Sequence, residues 1–134
     1  MNIQTFLTAY AIAVPIFFIV DIIWLAFIAR PFYQNYLSDF LGPVNWPAAI
    51  IFYLIFLLGL TIFAIYPALQ AGQWQVALIY GALFGFFTYA TYDLTNLATL
   101  KDWPLIVTIV DLIWGTILGA SVAVITFFTY GFFN

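Results

Sequence analysis

The segment from Ala48 to Leu69 reads AAIIFYLIFLLGLTIFAIYPAL. It carries no charge, and only Thr61 breaks its apolar run before Tyr66 and Pro67. A helix needs about 20 apolar residues to cross the hydrocarbon of a bilayer. A barrel strand is about ten residues long and alternates strictly, which this run does not. The segment reads as a spanning helix, whose backbone satisfies its own hydrogen bonds in lipid.

Three further apolar stretches flank it. Thr5 to Ala29 precedes it, interrupted by Asp21; Trp74 to Leu97 and Leu105 to Thr129 follow, the last interrupted by Asp111. The first is too long for a cleavable signal peptide, lacks a basic leader and holds an Asp, so it is expected to be a permanent span. Composition agrees. Of 134 residues, 67% are hydrophobic and only 5% are charged, against about 25% in a soluble domain. The mean hydropathy is +1.16. The expected fold is all-α: an integral membrane four-helix transmembrane bundle, one domain over 1–134, with spans at about 5–29, 48–69, 74–97 and 105–129.

The connections predict the rest of the architecture. Pro31 suits the first turn of a helix. Phe32, Tyr33, Tyr36, Leu37, Phe40 and Leu41 then fall near one face, with Gln34, Asn35, Ser38 and Asp39 opposite. That pattern predicts a short amphipathic helix lying in the interface between the first two spans, ended by Gly42-Pro43. Gln70 to Gln73 and Leu100 to Pro104 are tight turns. Asp102 is expected to cap the last helix, with Pro104 in its first turn. Trp46, Trp74 and Trp103 fall at span ends, as in an aromatic belt. Arg30 and Lys101, the chain's two basic residues, lie in loops on one side. The positive-inside rule makes those loops cytoplasmic and puts both termini outside.

Several chemistries are excluded. There is no Cys and no His, which removes disulfides, thiol nucleophiles and imidazole ligands. Two basic residues cannot supply a nucleic-acid footprint. What remains is three acids inside spans, where each costs about 2.5–3.5 kcal/mol on insertion scales. Asp21 lies nine residues before Arg30; Asp93 and Asp111 lie eight before and ten after Lys101. At 1.5 Å per residue, all three sit roughly 12–15 Å from the same loop face. They are expected to converge at one depth inside the bundle.

The flanking residues extend this candidate site. Val20-Asp21-Ile22-Ile23-Trp24 and Val110-Asp111-Leu112-Ile113-Trp114 are nearly one pentapeptide, on helices of opposite direction. Each Trp shares a helix face with its Asp. The pairing is similar to the inverted repeats of transporters. Tyr89, Asp93 and Asn96 share one face of the third span, while Tyr92, Thr95 and Thr99 share another. The expected ion- or substrate-binding set is therefore Asp21, Asp93, Asp111, Trp24, Trp114, Tyr89 and Asn96. Gly81-xxx-Gly85 and Gly115-xxx-Gly119 allow the third and fourth helices to approach closely.

The run Tyr89-Ala90-Thr91-Tyr92-Asp93-Leu94-Thr95-Asn96-Leu97-Ala98-Thr99-Leu100-Lys101-Asp102-Trp103-Pro104-Leu105 resembles the signature of a small bacterial four-helix membrane-protein family, domain of unknown function 2177. Asp21-x-x-Trp24-Leu25, Val110-Asp111-x-x-Trp114-Gly115, Phe32-Tyr33 and Gly81 to Gly85 resemble its other hallmarks. The chain departs from the pattern in being poor in Lys around the first span and loop. The resemblance implies a bacterial cytoplasmic (inner) membrane protein and a single site of Asp21, Asp93, Asn96 and Asp111. It implies no activity.

Three functions compete. The first is a small proton- or cation-coupled transporter using the Asp set, with an aromatic cation pocket and a homodimer to make room for a path. Two close carboxylates do not both stay ionised, so a proton or cation must neutralise them. The second is a membrane-embedded lipid-modifying enzyme, with carboxylates holding Mg²⁺ or Mn²⁺, although no basic residue is near enough to hold a phosphate. The third is an accessory subunit that binds a hydrophobic ligand: a lipid, quinone or pigment. Hydrogen bonding of the acids to Tyr, Asn or Trp is the purely architectural alternative. No cofactor is required by the sequence, the metal question stays open, and the expected surroundings are the lipid bilayer.

Overall fold

A computed structural model describes residues 2–134, which are helical apart from short connections, with no strand among them. The α-helices are α1 (Ile3–Trp24), α2 (Arg30–Leu37), α3 (Trp46–Leu60), α4 (Tyr66–Ala71), α5 (Trp74–Thr99) and α6 (Leu105–Phe133). Asn2 caps α1 by accepting the Thr5 N–H at 3.2 Å, and Asn45 caps α3 by accepting that of Ala48 at 3.2 Å. Gly72, at φ 65°, closes α4 in the left-handed conformation that a residue with a Cβ resists.

Two π-helical turns join α-helices without a break: Leu25–Ala29 between α1 and α2, and Thr61–Ile65 between α3 and α4. Each ends two residues before a proline, Pro31 or Pro67. Proline has no N–H and its ring crowds the carbonyl four residues earlier. The π turn widens the helix there: Arg30 donates to the Leu25 carbonyl and Tyr66 to that of Thr61. Here is a departure from expectation. The segment after Pro31 does not stand apart as a separate helix. It continues α1 as one helical stretch, Ile3–Leu37, because the π turn absorbs the proline.

Three stretches among the described residues are long and apolar enough to cross a membrane: Ile3–Leu37, Trp46–Ala71 and Leu105–Phe133. α5 has the length, at 26 residues, but the polar run from Tyr89 to Thr99 lowers its hydropathy. Large apolar side chains such as Phe27, Phe63 and Phe132 point outward, as they do where the solvent is lipid.

α5 and α6 form an antiparallel hairpin with the closest packing in the molecule. A Cβ on Gly81 would fall 2.5 Å from the Gly119 carbonyl oxygen, and one on Gly85 would strike the Gly115 carbonyl. Small residues let backbones meet where no hydrophobic force drives helices together. The turn between the two helices differs from the expected cap: Asp102 has φ 61°, and α6 begins after Pro104 with no side-chain cap. A left-handed residue cannot also serve as an extended N-cap.

The core has two parts. One runs through the middle, where Ala9, Ala13 and Phe17 of α1 meet Phe56, Leu57 and Leu60 of α3 and Leu118 and Val122 of α6. The other lies at the end holding the 100–104 turn and comprises Leu37, Trp103 and Val107, with Phe32, Tyr33 and Leu97 packed on it. At the far end, the Asn2 N–H donates to the Tyr66 hydroxyl at 2.7 Å, and the Tyr130 hydroxyl donates to Thr5 Oγ1 at 3.3 Å. These bonds hold the start of α1 against α4 and the end of α6.

Candidate functional site

The glycine register of the α5–α6 hairpin determines what lies opposite what. With Gly85 against Gly115, Tyr89 packs over Gly115, where a Cβ would strike its ring. One turn further on, Asp93 faces the first turns of α6. The Thr108 hydroxyl donates to the Asp93 carbonyl at 3.5 Å and itself accepts from the Trp103 indole N–H at 3.1 Å. Asp93 is fully buried, and both its carboxyl oxygens lack a hydrogen-bond donor among the described residues. Its carboxyl adjoins that of Asp111. Asp111 is buried too and accepts a hydrogen bond from the Tyr33 hydroxyl of α2.

Asp21, also buried, sits apart from this pair and faces the Tyr53 hydroxyl of α3. The Tyr89 hydroxyl lies between, within electrostatic range of all three acids. The two tryptophans that follow the acids meet: the Trp24 and Trp114 rings stack at 4.3 Å, 5° from parallel. The Trp114 indole N–H is buried without an acceptor among the described residues. Asn96 is half-buried and its side chain meets Tyr92. No three acids come together as a metal cage among the described residues, because Asp21 is held on α1 by its own partner.

A cavity of about 490 Å³ opens beside Asp111. Its floor is Asp111, Leu37 and Trp103, all buried, and its walls are Tyr33, Tyr53, Thr88 and Tyr89. The exposed side chains of Leu41, Phe52 and Tyr92 form the rim. Trp103 thus departs from the expected belt anchor: it is buried, bonded to Thr108, and forms cavity floor. The chain's two basic side chains, Arg30 and Lys101, are exposed.

Sequence reasoning singled out the acids, Tyr89 and both tryptophans of the stack; the structure brings Asp93 and Asp111 together and keeps Asp21 apart. It missed Tyr33, Tyr53, Trp103 and Thr108 as site residues. Tyr33 sat on the apolar face of a helix read as interfacial, and Trp103 at a span end, so each had an ordinary explanation. The usable signal was the position of Tyr33 and Trp103 on the same side of the bundle as all three acids.

Residues 6–128 match the family described as Predicted membrane protein (DUF2177), and the chain belongs to it. No curated protein and no solved structure matches the chain.

Proposed function

We propose that this member of the DUF2177 family is a four-span protein of the bacterial cytoplasmic membrane that couples transport to the Asp93–Asp111 pair. The observation that carries the reading is a pair of adjoining buried carboxyls with no basic partner, one of which opens on a cavity. Buried charge is tolerated only when paired or neutralised, and intramembrane acids commonly mark ion pathways. The pair holds one positive equivalent, a proton or another cation, and exchange of one for the other is the coupling step. Tyr33 is the switch group, because its hydroxyl occupies Asp111 and it rides on α2, beyond the π turn at Leu25–Ala29. Single π turns inside α-helices are frequent at functional sites.

In this reading α5 is the third span, and α2 with the following loop lies at the membrane boundary. The loops bearing Arg30 and Lys101 are cytoplasmic, with both termini outside. Thr91, Thr95 and Thr99 form an exposed stripe on α5, which a second copy of the chain covers.

Proton flux into liposomes holding the purified chain tests the proposal, read by an internal pH dye under an imposed potential. Flux is expected for the natural chain and for Asp102→Asn, which alters only the exposed turn, and is expected to vanish for Asp111→Asn. Equal flux in Asp111→Asn, or none above empty liposomes across a series of counter-cations, overturns it.

A further inference from the structure

The geometry points to a lipophilic organic cation, a singly charged ammonium-type ion with an apolar or aromatic body, as the ligand of the cavity beside Asp111. This inference rests on the reading of Asp93 and Asp111 as a cation site and names the class of cation.

Four observations carry it. Size is the first. Small-molecule pockets measure about 300–1,000 Å³, and this cavity, at about 490 Å³, is far larger than a proton or bare metal ion uses. Lining is the second. Tyr33, Phe52, Tyr53, Tyr89, Tyr92 and Trp103 surround the space, and ring faces attract a desolvated cation through their quadrupoles. Charge is the third. Asp111 is the cavity's only acid, Asp93 stands behind it with both oxygens unpartnered, and neither basic residue of the chain lines the space. A neutral ligand leaves that buried acid pair to be neutralised by protons alone and an anion opposes it, whereas a cation compensates it directly. A divalent metal needs an oxygen cage, and no three-acid cage exists among the described residues.

Access is the fourth. The rim residues Leu41, Phe52 and Tyr92 are apolar or aromatic and about half-exposed, at 52%, 50% and 58%. A strongly hydrated cation meets no polar guide there. A cation that already partitions into the bilayer reaches the mouth from the side, with its body against Leu37 and Leu41 and its charge toward Asp111.

The test is isothermal titration of the purified full chain in neutral detergent with tetraphenylphosphonium. Tetraphenylborate, an anion of the same shape, is titrated separately. The expected result is saturable binding of the cation at one per chain and none of the anion. Asp111→Asn is expected to weaken cation binding by at least about tenfold. Tyr92→Leu, at the exposed rim, keeps an apolar side chain against Trp103 and is expected to weaken it by about threefold or more, the scale of one cation–π contact. Tyr80→Leu, on an exposed turn of α5 outside the cavity, is expected to change nothing.

Equal uptake of cation and anion, or cation binding indifferent to both Asp111→Asn and Tyr92→Leu, overturns the inference. Proton flux that depends on Asp111, without cation binding, overturns it while leaving the coupled-transport reading intact. Asp111-dependent cation binding without flux sustains the ligand class and overturns transport.

Discussion

The indole rings of Trp24 and Trp114 stack 4.3 Å apart and 5° from parallel, joining α1 to α6. Each follows a buried acid by three residues, Asp21 or Asp111, so the contact ties the two carboxylate-bearing turns to one another. Stacked aromatic pairs contribute about 0.5–1.5 kcal/mol beyond the area they bury. Trp24→Ala, Trp114→Ala and the double variant are expected to show a coupling energy in that range, read by denaturant unfolding in detergent. Strict additivity of the two losses refutes the pairing.

The α5–α6 contact is stricter, because backbone meets backbone. At Gly85 an added methyl strikes the Gly115 carbonyl, and at Gly119 it strikes that of Gly81. No rotamer relieves such a clash. Gly85→Ala is expected to cost at least about 1–3 kcal/mol, the usual cost of overpacking, and to lower the unfolding temperature clearly. Gly131→Ala meets nothing within 4 Å and is expected to leave that temperature unchanged or slightly raised. Equal thermal stability of the two variants contradicts this packing.

Asp93 offers a different balance between stability and use. Its two carboxyl oxygens are buried without a donor and adjoin another acid. An asparagine of the same shape supplies N–H donors toward Asp111, and a satisfied buried bond contributes about 1 kcal/mol. Asp93→Asn is therefore expected to raise the unfolding temperature while abolishing Asp111-dependent flux. A variant that unfolds more readily than the natural chain shows that the carboxylate itself holds the bundle together.

Much of this was legible because bilayers demand simple sequences. Uncharged runs of about 20 residues, as at Ala48 to Leu69, leave few structural choices, and acids inside them stand out. The spacing of Gly81, Gly85, Gly115 and Gly119 marks where α5 and α6 can approach closely, but not which glycine lies opposite which. The π turns were not legible, because a proline reads equally well as a helix start or as an interruption to be absorbed. Read as a helix start, Pro31 puts Tyr33 at the interface; absorbed by the π turn, it carries Tyr33 onto Asp111. Trp103 failed for a related reason: an indole at a span end looks the same in sequence whether it faces lipid headgroups or the protein interior. Asp21 shows the limit of depth arguments, since helical rise fixes height but not the partner across the bundle, and that partner is Tyr53.

Whether α5 crosses the membrane determines where both cavity and termini lie. Its second half is polar, yet Asp93 within it is fully buried and α6 packs along it through glycines. A helix of 26 residues spans about 39 Å at 1.5 Å per residue, more than the roughly 30 Å of hydrocarbon. In the proposed four-span reading, the polar stretch is lodged inside a span against α6. Because the chain has no Cys, single cysteines report sidedness directly. Gln73→Cys precedes α5 and Asn134→Cys follows α6. If both α5 and α6 cross, the two cysteines lie on one side, and a membrane-impermeant maleimide is expected to label both from outside intact cells. Ser38→Cys, between the first two stretches, is expected to stay protected until the cells are opened. Labelling of Gln73→Cys and Asn134→Cys from opposite sides shows that only one of the two helices crosses, and it overturns the four-span reading.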